Sequence, residues 1–205
     1  MSEFDLKATS WDLDPMHLER SEVISKQISE KIPLNQSMTA LEFGAGTGLT
    51  SFMLENKLKE IVMIDRSAEM VRIMNEKIKA LRSPRLKALC IDLEEKELTY
   101  SRFDLIISQM ALHHVGDIEA VIRTFYRMLN SGGYIAIADL YPEDGSFHGN
   151  GFDGHKGFNP HDLSGLLIDN QFINTSFQKC YSIKKEVEDS SSKTFDLFLL
   201  IARKP

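Results

Sequence analysis

Leu41-Glu42-Phe43-Gly44-Ala45-Gly46-Thr47-Gly48 puts an acidic residue near the end of an apolar run and glycines at three alternate positions behind it. Glycine tolerates positive φ and lets a ligand come close to the backbone, so this stretch can turn a strand tightly into a helix around a bound molecule. Nucleotide and dinucleotide sites share that logic. The dinucleotide pattern G-x-G-x-x-G is defective here: its third glycine position is Leu49 counted from Gly44, and Ser51 counted from Gly46. A P-loop is excluded, because no Gly-Lys-Ser/Thr follows. Asp65 comes 21 residues after Gly44, directly behind a second apolar run. A carboxylate there can accept both hydroxyls of a ribose. Asp92 follows Leu89-Cys90-Ile91 and is placed to accept from an adenine amino group.

These acids need strands to carry them. From residue 38, short apolar runs alternate with amphipathic helices: strands at Met38–Phe43, Ile61–Ile64, Leu86–Ile91, Phe103–Ser108 and Tyr134–Leu140. Asp14-Pro15 starts a first helix that carries Ile24, Ile28 and Ile32 at helical spacing and stops at Pro33. A further helix runs from about Thr47 to Asn56. Ser67 caps one whose Met70, Val71, Met74, Ile78 and Leu81 share a face, and Asp117 caps another with Val121, Ile122, Phe125, Met128 and Leu129. Asn130-Ser131-Gly132-Gly133 is the stop signal of that last helix. Such alternation, with near-continuous Val/Ile/Leu strands, predicts a parallel sheet covered on both faces. The tail differs: a helix around Asp162–Asn170, then Phe172–Ile183, an Asp189–Lys193 turn and Phe195–Ala202, which predicts an antiparallel hairpin at a sheet edge. Between strand five and that helix, Tyr141–His161 holds five of the 12 glycines, three of the six histidines and three phenylalanines without a period. A long loop at the C-terminal end of a strand in an open α/β sheet is where ligands bind.

At 205 residues, the chain fits one domain able to bury roughly 70% of its surface. A net charge of −6 and a pI near 5.5 argue against a nucleic-acid or anionic-membrane binder. No apolar run is long enough to cross a bilayer, and MSEFDLKATS has no signal-peptide core. Cys90 and Cys180, each in an apolar stretch, read as buried free thiols in a reducing, cytoplasmic setting.

Glu42–Gly48, Asp65, Cys90-Ile91-Asp92-Leu93, Phe103–His114 and Leu129–Leu140, in that order, resemble the motifs of class I S-adenosylmethionine-dependent methyltransferases. The closest likeness is to the small-molecule branch related to ubiquinone/menaquinone biosynthesis. The resemblance spans roughly residues 11–203. It implies a single methyltransferase domain over 1–205, with residues 1–35 as an N-terminal cap and helix and 141–161 as a substrate loop. The implied fold is a three-layer, Rossmann-like α/β sheet of seven strands, mostly parallel with an antiparallel last strand, and helices on both faces.

The implied cofactor is S-adenosyl-L-methionine, leaving as S-adenosyl-L-homocysteine, and the implied partner is a small-molecule acceptor bound by a monomer or homodimer. Glu42, Gly44, Ala45, Gly46 and Gly48 would hold the methionine moiety and Asp65 the ribose. Met70 or Arg66 would lie near the adenine face. Asp92 and the Leu93 amide would bind adenine, and the backbone at Ser108–Gln109 would meet the cofactor's amino group. Glu42 replaces the commoner aspartate. Methyl transfer is an in-line displacement at an activated carbon, so a base is needed only if the acceptor must lose a proton. His113, His114, His148 and His155 are the candidates, with Tyr141 and Asp139 behind them, and Trp11 as a lid or substrate wall. Tyr141, His148 and His155 would belong to the acceptor pocket. These histidines have no recognisable metal-ligand spacing, so no metal is expected. A nicotinamide-dependent oxidoreductase shares the glycine loop and Asp65 but leaves Asp92 without a task. A non-catalytic binding protein on this fold would be marked by an eroded loop, and the loop is intact. A nucleic-acid methyltransferase would carry an Asn/Asp-Pro-Pro-Tyr/Phe motif after strand four, where Ser108-Gln109-Met110-Ala111 stands.

Overall fold

The structure is a computed structural model and describes residues 3–95, 102–187 and 191–205. Its strands are β1 (Thr39–Phe43), β2 (Glu60–Asp65), β3 (Leu86–Cys90), β4 (Phe103–Gln109), β5 (Leu129–Leu140), β6 (Ile173–Glu186) and β7 (Ser192–Arg203). They form one seven-stranded sheet in the order β3-β2-β1-β4-β5-β7-β6. β1 to β5 pair in parallel, and β7 runs antiparallel to both β5 and β6, as the sequence predicts.

The helices start where the capping residues put them. Asp14 accepts from the Met16 N–H at 2.9 Å and opens α2 (Pro15–Lys31), behind α1 (Glu3–Lys7) and a 3₁₀ segment, Ala8–Leu13. A short α3 (Leu49–Leu54) follows Gly48. Ser67 accepts from the Met70 N–H at 3.2 Å at the start of α4 (Ala68–Leu81). Asp117 opens α5 (Ile118–Met128), and Asn159 opens α6 (Pro160–Asp169).

Two cores lie on the two faces of the sheet. Ile24 and Ile28 of α2 and Met74 of α4 pack with Leu105 and Ile107 of β4, whereas Phe125 of α5 and Leu163 of α6 pack with Ile106. Alternation along β4 sends successive side chains to opposite faces, which is why a fully apolar run is needed there. Each fully buried Leu, Ile or Phe contributes about 1.5–3 kcal/mol.

Three expectations are corrected. Asn130–Gly133 does not separate helix from strand: β5 is continuous from Leu129. Its pairing jumps from Phe103↔Leu129 to Leu105↔Tyr134, and Gly132 at φ 80° donates its N–H to the Lys204 carbonyl at 2.9 Å. Regular register therefore begins at Tyr134. Cys90, the last residue of the edge strand β3, is exposed, while Cys180, on the opposite edge strand β6, is buried, and neither forms a disulfide. The substrate loop ends earlier than expected, at Asn159, with Pro160 already in the first turn of α6. Asp189 and Ser190 of the expected hairpin turn, and Met1 and Ser2 of the N-terminal cap, lie outside the described residues. Among the described residues no helix is long and apolar enough to cross a membrane.

Candidate active site

A cavity of about 810 Å³ opens at the C-terminal ends of β1 to β4, under α1 and the 3₁₀ segment that follows it. That volume lies within the range of small-molecule sites.

One wall is the glycine loop. Gly44 has φ 63°, and a Cβ there would meet the Ala111 Cβ at 2.3 Å, so the loop lies hard against the segment that follows β4. A Cβ on Gly46 would find only the Trp11 Nε1 within 4 Å, at 3.9 Å. Asp65, at the end of β2, accepts the Gly46 N–H with one oxygen and the Ser67 N–H with the other, both at 2.8 Å. It therefore ties the loop to the start of α4. Each of its oxygens keeps a lone pair for a ligand. Burial raises its pKa, against the pull of those two N–H groups. Glu42 is buried beneath the loop and accepts from the Ser51 backbone N–H at 3.1 Å and from the Ser51 hydroxyl. Its pKa is pushed up to about 7 by burial. Asp92 and Leu93 behind β3, and Arg66 and Met70 behind β2, line the same cavity.

The opposite wall carries three imidazoles. Asp139, fully buried in β5, accepts N–H bonds from Leu112, His113 and Leu140 and the Nδ1–H of His113, the last at 2.6 Å. The His113 Nε2 then faces the Nε2 of His148 at 3.0 Å. His114 completes the group, its ring 4.2 Å from that of His113 and 5.0 Å from that of His148. Phe152 stacks on His148 at 4.0 Å, and Phe4 of the N-terminal cap meets His114 edge-on at 5.1 Å. Burial and the neighbouring imidazoles hold His148 down to about 4 and His114 down to about 3, with Lys185 adding to the effect on His148. Both rings are neutral at neutral pH.

The roof is pinned electrostatically. Asp12 accepts from the Thr47 hydroxyl at 2.5 Å and from the Lys77 Nζ at 2.8 Å, and Asp5 accepts from the Ser67 hydroxyl at 2.6 Å. Trp11 stacks on His17 at 4.0 Å and faces the cavity. Arg20 of α2 also lines the cavity. Its side chain is buried, its Nε has no partner among the described residues, and burial pushes it down to about 10. An orphaned, buried guanidinium N–H is costly unless something accepts from it.

Of the residues singled out in the sequence, Trp11, Glu42, Gly44, Ala45, Gly46, Asp65, Arg66, Met70, Asp92, Leu93, Gln109, His113, His114 and His148 are brought to this one cavity. Gly48, Ser108, Tyr141 and His155 are not among its lining residues. Gly48 serves the backbone: at φ 82° it starts α3, and a Cβ there would reach the Met63 Sδ at 2.7 Å. Ser108 is fully buried inside β4, Tyr141 packs on Phe198, and the His155 ring packs on Phe158. His155 does contribute its backbone N–H to the His113 carbonyl, at 2.8 Å. Arg20 was overlooked in the sequence, though a signal exists: it stands four residues before Ile24 on the Ile24/Ile28/Ile32 stripe, where a charge is out of place. His17, Lys184 and Lys185 also line the cavity and carry no motif.

Residues 41–137 match the family model described as "Methyltransferase domain". An uncharacterized methyltransferase of Schizosaccharomyces pombe is 32% identical over 63% of this chain and 51% of its own length. The malonyl-[acyl-carrier protein] O-methyltransferase of a Marinomonas strain is 26% identical over 67% of this chain and 50% of its own length. The chain thus spans about half the length of these curated relatives. Among solved structures, the N-methyltransferase NodS of Bradyrhizobium japonicum, in complex with S-adenosyl-L-homocysteine, superposes with a TM-score of 0.70. The match is 19% identical and covers 95% of this chain and 91% of that one, a likeness of fold.

Proposed function

Since the chain carries a class I, S-adenosylmethionine-dependent methyltransferase domain, we propose that it methylates a small-molecule acceptor that bears a negative charge. The observation that carries the reading is the shared cavity. A glycine loop tethered to Asp65 and the acids that end β2 and β3 all open onto it, opposite a separate wall of imidazoles. S-adenosyl-L-methionine, when bound, supplies a methyl group on a positively charged sulfur, ready for displacement by an acceptor lone pair.

The residues fit that cofactor. Gly46 leaves its side of the loop open toward the cavity, and Asp65 keeps lone pairs free for a ribose. Asp92 and the Leu93 backbone would hold adenine, with Met70 and Arg66 beside it, and the backbone around Gln109 would meet the amino group. No residue needs to carry a pyrophosphate, which explains Leu49 in place of a third dinucleotide glycine. Phe4, Trp11 and His17 roof the cavity, and alignment with exclusion of water would supply much of the acceleration in such a displacement.

The charge of the acceptor is read from Arg20. It offers a buried Nε–H with no acceptor among the described residues, whereas Lys7 of the same cavity is already paired with Glu3 and the Lys185 Nζ donates to the Phe147 carbonyl. A carboxylate or phosphate on the acceptor would accept from that N–H. The Marinomonas relative is named for a malonyl acceptor, which is of this chemical kind. His113, His114 and His148 line the cavity as one group and would face the acceptor.

Calorimetric titration with S-adenosyl-L-methionine, S-adenosyl-L-homocysteine and NAD in parallel tests the cofactor. Micromolar binding of the two sulfur compounds is expected, and binding of NAD alone overturns the reading. A methyl-transfer screen of paired acceptors, each with and without a carboxylate or phosphate, then tests the charge. Preference for the neutral members overturns it.

A further inference from the structure

We infer that His113, His114 and His148 form a binding site for one divalent late first-row metal ion of the zinc class, with an open coordination position facing the cavity. The inference rests on the three side chains and stands whether or not the acceptor is anionic. Each ring offers one nitrogen, and the three nitrogens lie within 4.8 Å of one another. The residues come from two segments that are far apart in sequence: the turn after β4 and the loop after β5.

Three features point to a metal rather than to a chance meeting of rings. First, Asp139 stands behind His113 as an outer-shell carboxylate does behind a metal-bound histidine. By accepting the Nδ1–H at 2.6 Å, it fixes the ring and leaves the Nε2 lone pair aimed at the cluster. Second, that lone pair faces the Nε2 of His148 at 3.0 Å. With no ion between them the His148 N–H donates across this gap; with His148 in its other tautomer two lone pairs converge on one point, which is the arrangement a cation takes. Third, aromatic rings pack around the cluster: Phe152 stacks on His148, Phe4 closes on His114, and Phe147 meets His148 edge-on at 4.9 Å. The His155 N–H also holds the His113 backbone.

The dimensions suit a small ion. Zn–N bonds of about 2.0–2.1 Å put tetrahedral nitrogens about 3.3–3.4 Å apart. The closest pair is already near that spacing, and the widest needs to close by no more than about 1.5 Å. Imidazole is a ligand for zinc, copper, nickel and iron rather than for magnesium or calcium, which take oxygen. Three protein nitrogens leave a fourth position, and all three residues line the cavity into which an acceptor must enter. That is the ligand count of a site that binds an exchangeable water or substrate atom, not of a closed structural site.

The test is titration of the metal-free full chain with Zn²⁺ alone, without cofactor, followed by Co²⁺ as a spectroscopic probe. Expected are one Zn²⁺ per chain and visible Co²⁺ ligand-field bands of four-coordinate type. His148→Ala and His114→Ala should each weaken binding by at least the ~10–100-fold that loss of an outer-shell partner costs, and Asp139→Asn by that amount itself. Cys90→Ser, on the exposed edge of β3, should leave binding unchanged. Failure of the wild-type chain to bind Zn²⁺ stoichiometrically overturns the inference, as does binding that His148→Ala and His114→Ala both leave intact. His148 lies in the loop after β5, so its variant keeps the fold; a thermal melt of each variant confirms that a loss reflects the site. S-adenosyl-L-methionine binding, measured separately, reports on the cofactor wall and distinguishes a failure here from a failure of the methyltransferase reading.

Discussion

The two walls of the cavity are built in opposite ways. The wall proposed for the cofactor is made of successive strand ends, Glu42 to Gly48, Asp65 and Asp92, each placed by the segment just before it, with Glu42 and Asp65 tied to their neighbours through backbone N–H groups. The wall proposed for the acceptor is assembled from side chains of distant segments. Arg20 and His17 come from α2, His113 and His114 from the turn after β4, His148 from the loop after β5 and Lys185 from β6. Local backbone geometry suffices for the first, whereas the second exists only when the whole sheet has closed. It follows that substitutions on the first wall should act on cofactor affinity and stability together, and those on the second on turnover.

The largest expected effect comes from paired glycine substitutions. Gly44→Ala puts a Cβ 2.3 Å from the Ala111 Cβ in a left-handed conformation, and Gly157→Ala puts one 2.1 Å from the Tyr141 carbonyl oxygen, also at positive φ. Left-handed strain and overpacking together cost about 2–5 kcal/mol at each. Urea unfolding should show similar losses, but only Gly44→Ala should abolish cofactor binding. Equal loss of binding in both would mean that the loop after β5 covers the cofactor.

Next in size is the pH dependence set by Glu42. Burial raises its folded-state pKa to about 7, above the ordinary 4.5. The folded state therefore holds the extra proton, and stability from this group is greatest at low pH and is lost as pH rises between those two values. The loss is on the order of 3 kcal/mol. Glu42→Gln should flatten that slope in denaturation midpoints taken from pH 5 to 8. A slope that survives the substitution assigns it to another group.

Asp65→Ala should weaken S-adenosyl-L-methionine binding by about 1.5–3 kcal/mol, the scale of a hydrogen bond to a charged group. It should also lower stability, because the N–H groups of Gly46 and Ser67 lose their acceptor. Unchanged affinity removes Asp65 from the ribose site. The smallest effect on cofactor affinity, within about 0.5 kcal/mol, is expected for His148→Ala. Its methyl-transfer rate should nevertheless fall, and a calorimetric loss as large as that of Asp65→Ala would erase the distinction between the walls.

Much of this molecule is legible in the chain. The apolar runs predicted the parallel strands in order, and Asp14, Ser67 and Asp117 marked helix starts, because caps and strand periodicity are set by residues within a few positions of one another. The glycine loop with Asp65 and Asp92 was legible for the same reason. What failed to show was everything fixed by distance along the chain: the exposure of Cys90 on the outermost strand, the shifted register that absorbs Asn130–Gly133, and the withdrawal of Tyr141 and His155 from the cavity.

His113, His114 and His148 show that boundary most sharply. Their spacing in sequence carries no ligand pattern, since a pattern of that kind arises only when one helix or one turn presents all the donors. Here the sheet order sets β4 beside β5, and the cluster forms where the segments behind those two strands meet. The sequence by itself determined the strands, their caps and the glycine loop, because those depend on neighbours in the chain. Only the tertiary structure decided which histidines meet and which arginine keeps a buried Nε–H without a partner among the described residues, because those depend on neighbours across the sheet.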